Sequence, residues 1–229
     1  YLLSTIVVIY YLKDDYKTLN TENTKEKLAL SKLLFKLGAT KQAGSIAQSM
    51  NYRLSFYIIG FYCGESLVGI YSNAVSLSEA VMLFGSSLAL VQYSSLSNNE
   101  NDSSSKQFSW KMSKINGIFT ALALLVLCLL PSEVYSFVFG KGFEEISSAI
   151  RILSIGVLPL SIASNFTQYF YAKGNFKIST FASIIGLVIT IIAGLILIPK
   201  YQLQGVALTA TLSYFTTFAI EFYFFVFRK

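Results

Sequence analysis

The sequence contains no histidine and carries little charge, and each shortage excludes a class of function. Charged residues make up 13% of its 229 residues, against about 25% in soluble domains, so the composition argues against a soluble domain. The absence of histidine removes the commonest general base and metal ligand. The two cysteines, Cys63 and Cys128, lack the paired spacing of a zinc site or a disulfide framework, so we interpret them as small buried apolar residues. We therefore expect no enzymatic activity, no metal site and no cofactor.

Apolar residues are abundant instead, at 54% of the chain. A transmembrane helix needs about 20 residues to cross a hydrocarbon core of ~30 Å. Six stretches are long enough, near residues 37–62, 66–95, 112–131, 146–172, 176–199 and 203–227. Pro159 should kink one of them, and Pro199 should end another. The connections are short, so the sequence predicts an all-α, polytopic membrane helix bundle with six full transmembrane helices.

The start of the chain differs from the rest. Residues 1–12 are apolar but too short to cross the membrane, so we expect the end of a preceding transmembrane helix, cut from a longer protein. Residues 13–36 form a charged linker, whose leucines could start the next helix at the membrane interface. The bundle itself is predicted to occupy residues 37–229.

The basic residues are divided unevenly between the two predicted sides of the membrane. When alternate loops are assigned to alternate sides, Lys141, Arg151 and Lys200 lie on one side. All the other Lys and Arg residues, except Arg53 within the membrane, lie on the side of the 13–36 linker. The positive-inside rule makes the linker and the C-terminus cytoplasmic. The net charge of +6 then reflects membrane topology and anionic lipid headgroups, with no nucleic-acid partner.

Arg53 interrupts the first predicted span. A charge at membrane depth costs at least ~2.5–3.5 kcal/mol on insertion scales and marks a functional site by default. On a helical wheel, the polar residues of this span occupy one broad side: Lys41, Gln42, Ser45, Gln48, Ser49, Asn51, Tyr52, Arg53 and Ser55. Snorkelling of Arg53 to the interface is the alternative, but it does not explain the other polar residues. The pattern favours a helix that gives its polar side to a cavity.

Other spans carry polar stripes of their own. The stripe of the second span is narrow, with Glu79 well inside the membrane: Glu65, Ser72, Ser76, Glu79 and Ser86. Weaker stripes occur in the fourth and sixth spans: Ser161, Ser164, Asn165 and Gln168, and then Ser213, Thr217 and Glu221. Such hydroxyls can equally bond to their own backbone or to a neighbouring helix. We expect Glu221 near the cytoplasmic interface and the apolar fifth span toward lipid. Several helices with one polar side each indicate a lumen, as in transporters.

Several motifs resemble a known family. Residues 51–56 (NYRLSF) and 68–80 (VGIYSNAVSLSEA) are similar to the first helix pair in the second lobe of polysaccharide (O-antigen-type) flippases. These belong to the multidrug/oligosaccharidyl-lipid/polysaccharide exporter superfamily. The later markers follow in the family's order: 136–143 (SFVFGKGF), 149–154 (AIRILS), 171–174 (YAKG) and 197–207 (LIPKYQLQGVA). One position departs from the pattern, since Ser55 stands where relatives often have Asp. That exchange leaves the cavity more positive and weakens the case for ion coupling there.

The resemblance implies a fold and a function. Family members have two lobes of six helices around a central cavity, so the chain would be the second lobe and its partner the missing N-terminal lobe. The implied function is to flip a polyprenyl-pyrophosphate-linked oligosaccharide across the cytoplasmic (inner) membrane by alternating access, for surface polysaccharides such as the O-antigen of lipopolysaccharide. We expect Arg53 to contact the diphosphate. The substrate-binding residues expected to line the cavity are Arg53, Asn51, Gln48, Tyr52, Glu79, Ser72, Ser76, Asn165 and Gln168.

Two alternatives remain open from the sequence. A multidrug or cation antiporter of the same superfamily would favour acidic cavity residues, for which Glu79 is a candidate. Part of a membrane-embedded sugar polymerase or ligase would need long outer loops and acid/base residues. The short predicted outer loops and the lack of histidine argue against that reading.

Overall fold

A computed structural model describes residues 24–98 and 101–227 of the chain, with side chains from residue 30 onward. The regular structure of this part is all α-helical, as predicted. In chain order the helices are α1 (Thr24–Cys63), α2 (Glu65–Ser97), α3 (Asp102–Leu129), α4 (Ser132–Phe139), α5 (Ile146–Ala172) and α6 (Phe176–Phe227). The predicted helix end at residues 1–12 and the linker as far as residue 23 lie outside the described residues, as does the C-terminal pair 228–229.

The chain divides into two units, residues 1–39 and residues 40–229, and α1 contributes to both. The described part of the first unit is the start of α1. There, Leu30, Leu33 and Leu34 have exposed fractions of 57%, 52% and 60%. This exposed apolar face belongs to the segment that the sequence predicts to lie at the membrane interface.

Helix α5 is the central helix of the second unit. Of its most apolar stretch, 56% is buried, against 28% in α2 and in α3 and 33% in α6. It packs against α2, α3, α4 and α6. At Gly156 the backbone of α6 comes so close that a methyl group would lie 2.7 Å from the Cα of Thr211. Pro159 lies inside α5, which continues as helix on both sides of it.

Helix α6 contains a backbone break. At about 1.5 Å per residue, its 52 residues would far exceed the ~30 Å core of a membrane. The break lies at Gln202, where φ is 48° and ψ is −118°. It divides α6 into a first arm (residues 176–201) and a second arm (203–227), which match the predicted fifth and sixth spans. The helix therefore ends three residues beyond Pro199, where the sequence had placed its end.

Four of the described helices are long and apolar enough to cross a membrane: α2, α3, α5 and α6. Helix α1 is not among them, because the span predicted at residues 37–62 carries Lys41, Arg53 and many other polar residues. The structure thus establishes a helical bundle in which four of the described helices could cross a membrane. The count of six, which adds α1 and treats the two arms of α6 separately, stays a prediction.

Helix ends gather at two opposite ends of the bundle. At one end, Lys173 after α5 forms an ion pair with Asp102 at the start of α3, with 3.6 Å between Nζ and Oδ1. Lys106 of α3 also donates to the backbone oxygen of Val226 at the end of α6, at 3.4 Å. At the other end, the Cys63 sulfur lies 4.0 Å from the backbone oxygen of Ile198. The antiparallel order that the sequence predicts is visible in these contacts.

The turn between α5 and α6 shows how the sequence sets this order. Gly174 has φ of 69°, a left-handed conformation that glycine adopts without steric cost. Its N–H donates to the oxygen of Tyr171 at 3.0 Å, and the N–H of Asn175 donates to the oxygen of Phe170 at 2.8 Å. This pair of bonds is a Schellman motif, which satisfies the last carbonyls of α5 and reverses the chain.

Candidate functional site

The polar side of α1 faces two adjoining cavities. The first has a volume of about 410 Å³ and lies among α1, α2, α5 and the second arm of α6. Its lining residues are Ser49, Tyr52, Arg53, Val75, Ser78, Glu79, Met82, Leu83, Ser86, Leu153, Val157, Ser161, Ser164 and Tyr214. Hydroxyl groups dominate its polar lining, with one cation and one carboxylate among them.

The second cavity lies nearer the end where Lys173 meets Asp102. It has a volume of about 340 Å³ and also borders the first arm of α6. Its lining residues are Gly44, Ser45, Gln48, Ser49, Tyr52, Met82, Leu160, Ala163, Ser164, Thr167, Gln168, Tyr171, Ser179, Ser183, Thr217 and Glu221. The two cavities share Ser49, Tyr52, Met82 and Ser164, so they form one polar region along α1.

Arg53 and Glu79 line the first cavity from neighbouring helices, and both side chains are exposed. Within the described part of the chain, their charged groups do not approach to ion-pair distance. Each charge is therefore open to solvent or to a ligand in the cavity. A guanidinium in this position can donate two parallel hydrogen bonds to phosphate oxygens.

Tyr52 lines both cavities and packs edge-on against Tyr214, with 5.8 Å between ring centroids. Gln48 and Gln168 line the second cavity. Tyrosine hydroxyls and amide groups are suited to replace water around a sugar, because each can both donate and accept hydrogen bonds. Five of the predicted site residues therefore share the polar region: Arg53, Tyr52, Gln48, Glu79 and Gln168.

Asn51 is placed elsewhere, in the packed interface of α1 with both arms of α6. Only 3% of its surface is exposed. Its Nδ2 donates to Ser213 at 2.8 Å, and Thr190 donates to its Oδ1. The structure therefore differs from the prediction that Asn51 faces a cavity. The reason is geometric, since Asn51 lies at one edge of the broad polar arc of α1 and Arg53 lies at the other.

Asn165 is also placed in the protein interior, with 0% exposure. Its backbone oxygen accepts a hydrogen bond from Gln92 of α2 at 2.9 Å, and the same Gln92 nitrogen donates to Ser109 of α3 at 3.0 Å. Asn165 therefore joins a polar network among α2, α3 and α5. It lines neither of the two cavities.

The two serines predicted on α2 are outside both cavities as well. Ser72 is half-buried and donates to the backbone oxygen of Gly69 at 2.9 Å, and Ser76 is exposed. Their neighbour Ser78 lines the first cavity instead. A helical wheel identified the correct side of α2 for Glu79 and Ser86, but the cavity covers only part of the stripe.

The burial of Glu221 was not predicted from the sequence. Its side chain is 1% exposed and lines the second cavity. Thr167 of α5 donates to Glu221, with 2.8 Å from its Oγ1 to each carboxylate oxygen. Glu221 is therefore enclosed by the bundle, and its depth relative to the membrane interface stays a prediction. The spacing Ser213, Thr217, Glu221 was the signal, because residues four apart share one helix face.

The side chains of the site are suited to binding a polar ligand. In the described part of the chain, no cluster of three or more His, Cys, Asp or Glu side chains could hold a metal ion. The cavities instead combine a guanidinium, two carboxylates, tyrosines and many hydroxyls. Such a lining can bind a large polar ligand that carries a localised negative charge.

Comparisons with known proteins agree on one class. Residues 2–229 match the family described as lipid II flippase MurJ. A similar relative is the capsular polysaccharide biosynthesis protein CapF of Staphylococcus aureus, 28% identical over 86% of this chain and 51% of the relative. The uncharacterized membrane protein MJ1068 of Methanocaldococcus jannaschii is 25% identical over 97% of this chain and 46% of the relative.

A third relative is the probable low-salt glycan biosynthesis flippase Agl15 of Haloferax volcanii. It is 22% identical over 86% of this chain and 42% of the relative. The chain thus spans about half the length of the curated relatives it matches. No solved structure gives a significant match.

Proposed function

We propose, because the chain belongs to the lipid II flippase MurJ family, that it forms one lobe of a transporter that flips a lipid-linked oligosaccharide. The cargo would be a glycan joined through a diphosphate to a polyprenyl chain, and the product a surface polysaccharide. Relatives named for capsular polysaccharide and glycan biosynthesis support this class of cargo. Assignment to the O-antigen of lipopolysaccharide stays a prediction.

Arg53 is the observation that carries the proposal. It lies 10 residues before the C-terminal end of the 40-residue helix α1 and lines a cavity of about 410 Å³ without an ion-pair partner in the described part of the chain. Holding an arginine at membrane depth is costly, so its position needs a functional reason. A diphosphate supplies the negative charge and the oxygen geometry that a guanidinium binds best.

The rest of the polar region suits the sugar. Ser49, Ser78, Ser164 and Tyr52 present hydroxyls along the two cavities. A glycan that leaves water needs such groups to replace its hydrogen bonds. The polyprenyl chain would stay in the bilayer, where the apolar outer faces of the bundle also lie.

A complete transporter would contain a second, N-terminal lobe. The chain spans about half the length of its relatives, and Arg53 and Glu79 are exposed on the open side of the cavity. In the complete transporter, the two lobes would rock against each other and open the cavity to each side in turn. The membrane would be the cytoplasmic one, with the C-terminus in the cytoplasm and the lysine-rich side against anionic headgroups.

A cation antiporter is the second candidate, favoured by one observation. Glu79 lines the first cavity and Glu221 the second, so the polar region holds two carboxylates beside one arginine. Carboxylates would attract a cationic drug. Uptake of a fluorescent organic cation, measured with and without the complete transporter, separates the two candidates, because a diphosphate flippase would not accumulate or expel it.

The experiment that tests the proposal compares three variants of Arg53 in the complete transporter. Arg53→Ala should abolish glycan export while the protein still inserts in the membrane. Arg53→Lys keeps the charge but loses the planar pair of donors, so partial export is expected. Arg53→Gln should behave like the alanine variant.

Surface glycan is measured against the abundance of the membrane protein for each variant. An arginine needed only for folding or insertion would show its loss as a lower level of the protein in the membrane. Normal export by well-expressed Arg53→Ala protein would end the proposal.

A further inference from the structure

Glu221 is an acid enclosed by the bundle beside the proposed path of the substrate. It is 1% exposed, and Thr167 donates to both of its oxygens. The second cavity, which it lines, has no Lys or Arg among its described lining residues. Its negative charge would therefore have no cation beside it when the carboxyl is ionised.

The neighbouring helices present other titratable groups to this cavity, but the groups that line it do not offset the negative charge of an ionised Glu221. Tyr52 faces it from α1 and Tyr171 from α5. The Lys41 ammonium group lies 5.3 Å from the centre of the Tyr171 ring, on an exposed side chain of α1. Tyrosines are neutral near pH 7, so they add hydrogen-bonding groups but no positive charge.

The remaining charges of the region are in the adjoining cavity. Arg53 and Glu79 face it from α1 and α2, and the two cavities share Tyr52 and Ser49. A diphosphate bound at Arg53 would bring further negative charge into the first cavity, which Glu79 also lines and which adjoins the cavity of Glu221. Like charges in a low-dielectric site repel strongly.

We propose that Glu221 takes up a proton when the diphosphate enters the cavity, an inference that rests on the proposed function. The proton comes from water at the open side of the transporter and forms an O–H bond with one carboxylate oxygen, while the other oxygen keeps its hydrogen bond from Thr167. Substrate binding and proton binding then favour each other, because coupling between two sites is reciprocal.

The sign of the pH dependence follows from this coupling. A ligand whose binding adds one proton binds more tightly as the pH falls, by up to about tenfold per pH unit. Above the range in which Glu221 gains its proton in the empty cavity, affinity should decrease as the pH rises. A cationic substrate would show the opposite sign, since an ionised Glu221 would attract it.

The test measures binding to the purified complete transporter by calorimetry. The probe is a short-chain prenyl diphosphate sugar, a diphosphate diester that lacks the second ionisation which a phosphate monoester has near pH ~6. Its charge therefore stays constant across the pH range. Measurements in buffers of different ionisation enthalpy count the protons taken up, and about one proton per probe is expected for the wild type.

Two variants locate that proton. Glu221→Gln keeps the shape and an acceptor for Thr167, so it should bind the probe at high pH as tightly as the wild type does at low pH, with no proton uptake. Glu133→Gln, which changes an exposed carboxyl on α4, is the matched control and should behave like the wild type.

The possible failures are distinguishable. If the wild type binds the probe without proton uptake, the proposal for Glu221 is wrong and the proposed function stands. If Glu221→Gln still takes up a proton, another group carries it and the proposal is again wrong. If the wild type does not bind the probe at all, the proposed function itself fails. A wild type that takes up no proton overturns the proposal even if Glu221→Gln does not insert.

Discussion

Asn51 on α1 donates a hydrogen bond of 2.8 Å to Ser213 on α6, in a part of the interface that excludes solvent. Two residues along the same helix, Arg53 faces the first cavity. Successive residues differ by about 100° around a helix, so these two side chains point in nearly opposite directions. Anchoring Asn51 in the protein therefore fixes the rotation of α1 that presents Arg53 to the cavity.

Asn51 should therefore contribute to stability rather than to substrate contact. Replacing Asn51 by Leu keeps the branched shape but leaves the Thr190 hydroxyl without its acceptor, at a cost of about 1–3 kcal/mol, whereas the Ser213 hydroxyl still donates to the backbone oxygen of Gly186. We expect a lower midpoint of thermal unfolding for the purified protein, whereas Arg53→Gln should unfold close to the wild-type temperature. An Asn51→Leu variant with normal stability and no export would instead assign Asn51 to substrate binding.

Arg53 and Glu79 should be energetically coupled, directly or through water, because they line one cavity from adjacent helices. Removing one charge changes the field at the other, so the effects of the two substitutions should not add. We expect Glu79→Gln to reduce export less in an Arg53→Gln background than in the wild type. Strict additivity of the two substitutions in export assays would show that the charges act independently.

Gly205 should be intolerant of any side chain. A methyl group there would overlap the backbone oxygen of Leu197, which belongs to the first arm of α6. Gly205→Ala should therefore reduce the free energy of unfolding by more than ~2 kcal/mol. Gly69 in α2 is the control, because a methyl group there meets nothing within 4 Å. Gly69→Ala should be neutral or stabilising by up to about 1 kcal/mol, and equal effects at both sites would contradict the close packing at the break.

The membrane topology can be tested by labelling single cysteines. In a background that lacks Cys63 and Cys128, cysteines at Ser104 and Ser132 should react with an impermeant reagent from opposite sides, since they lie at the two ends of α3 and its following turn. The cytoplasmic side should label Ser104→Cys, as the positive-inside rule predicts. Labelling of both positions from one side would contradict the predicted span count.

The sequence predicted the long apolar helices, because hydrophobic length is a local property, but not the short helix α4. The break of α6 was predicted within three residues, from Pro199. The central role of α5 was not predicted, since it depends on which helices pack together. Hydropathy identifies a span but does not say whether neighbouring helices or lipid cover it.

The site was predicted only in part, because a helical wheel shows which side of a helix is polar but not what covers that side. A helical wheel placed Arg53, Tyr52 and Glu79 on polar sides, and these three line the first cavity. It could not separate them from Asn51 or Asn165, because a polar side chain can satisfy itself in a cavity or in an interface between helices. Only the packing of neighbouring helices shows that Asn51 and Asn165 lie in interfaces and not in a cavity.

The burial of Glu221 was not predicted, because it depends on how the end of α6 packs. There, Phe166 and Phe225 stack at 4.4 Å between centroids, with Trp110 beside both. A cluster of this kind joins residues far apart in sequence. Neither hydropathy nor periodicity records it.

Helix α3 contributes no lining residue to either of the two cavities. Its buried face is a row of small polar residues, Ser105, Ser109, Ser113 and Asn116, packed against the network of α2 and α5. The role of α3 is thus confined to packing, whereas α1, α2, α5 and α6 line the cavities. A lineage could therefore acquire a different ligand by changes on these four helices, while α3 is inherited without alteration as a common framework.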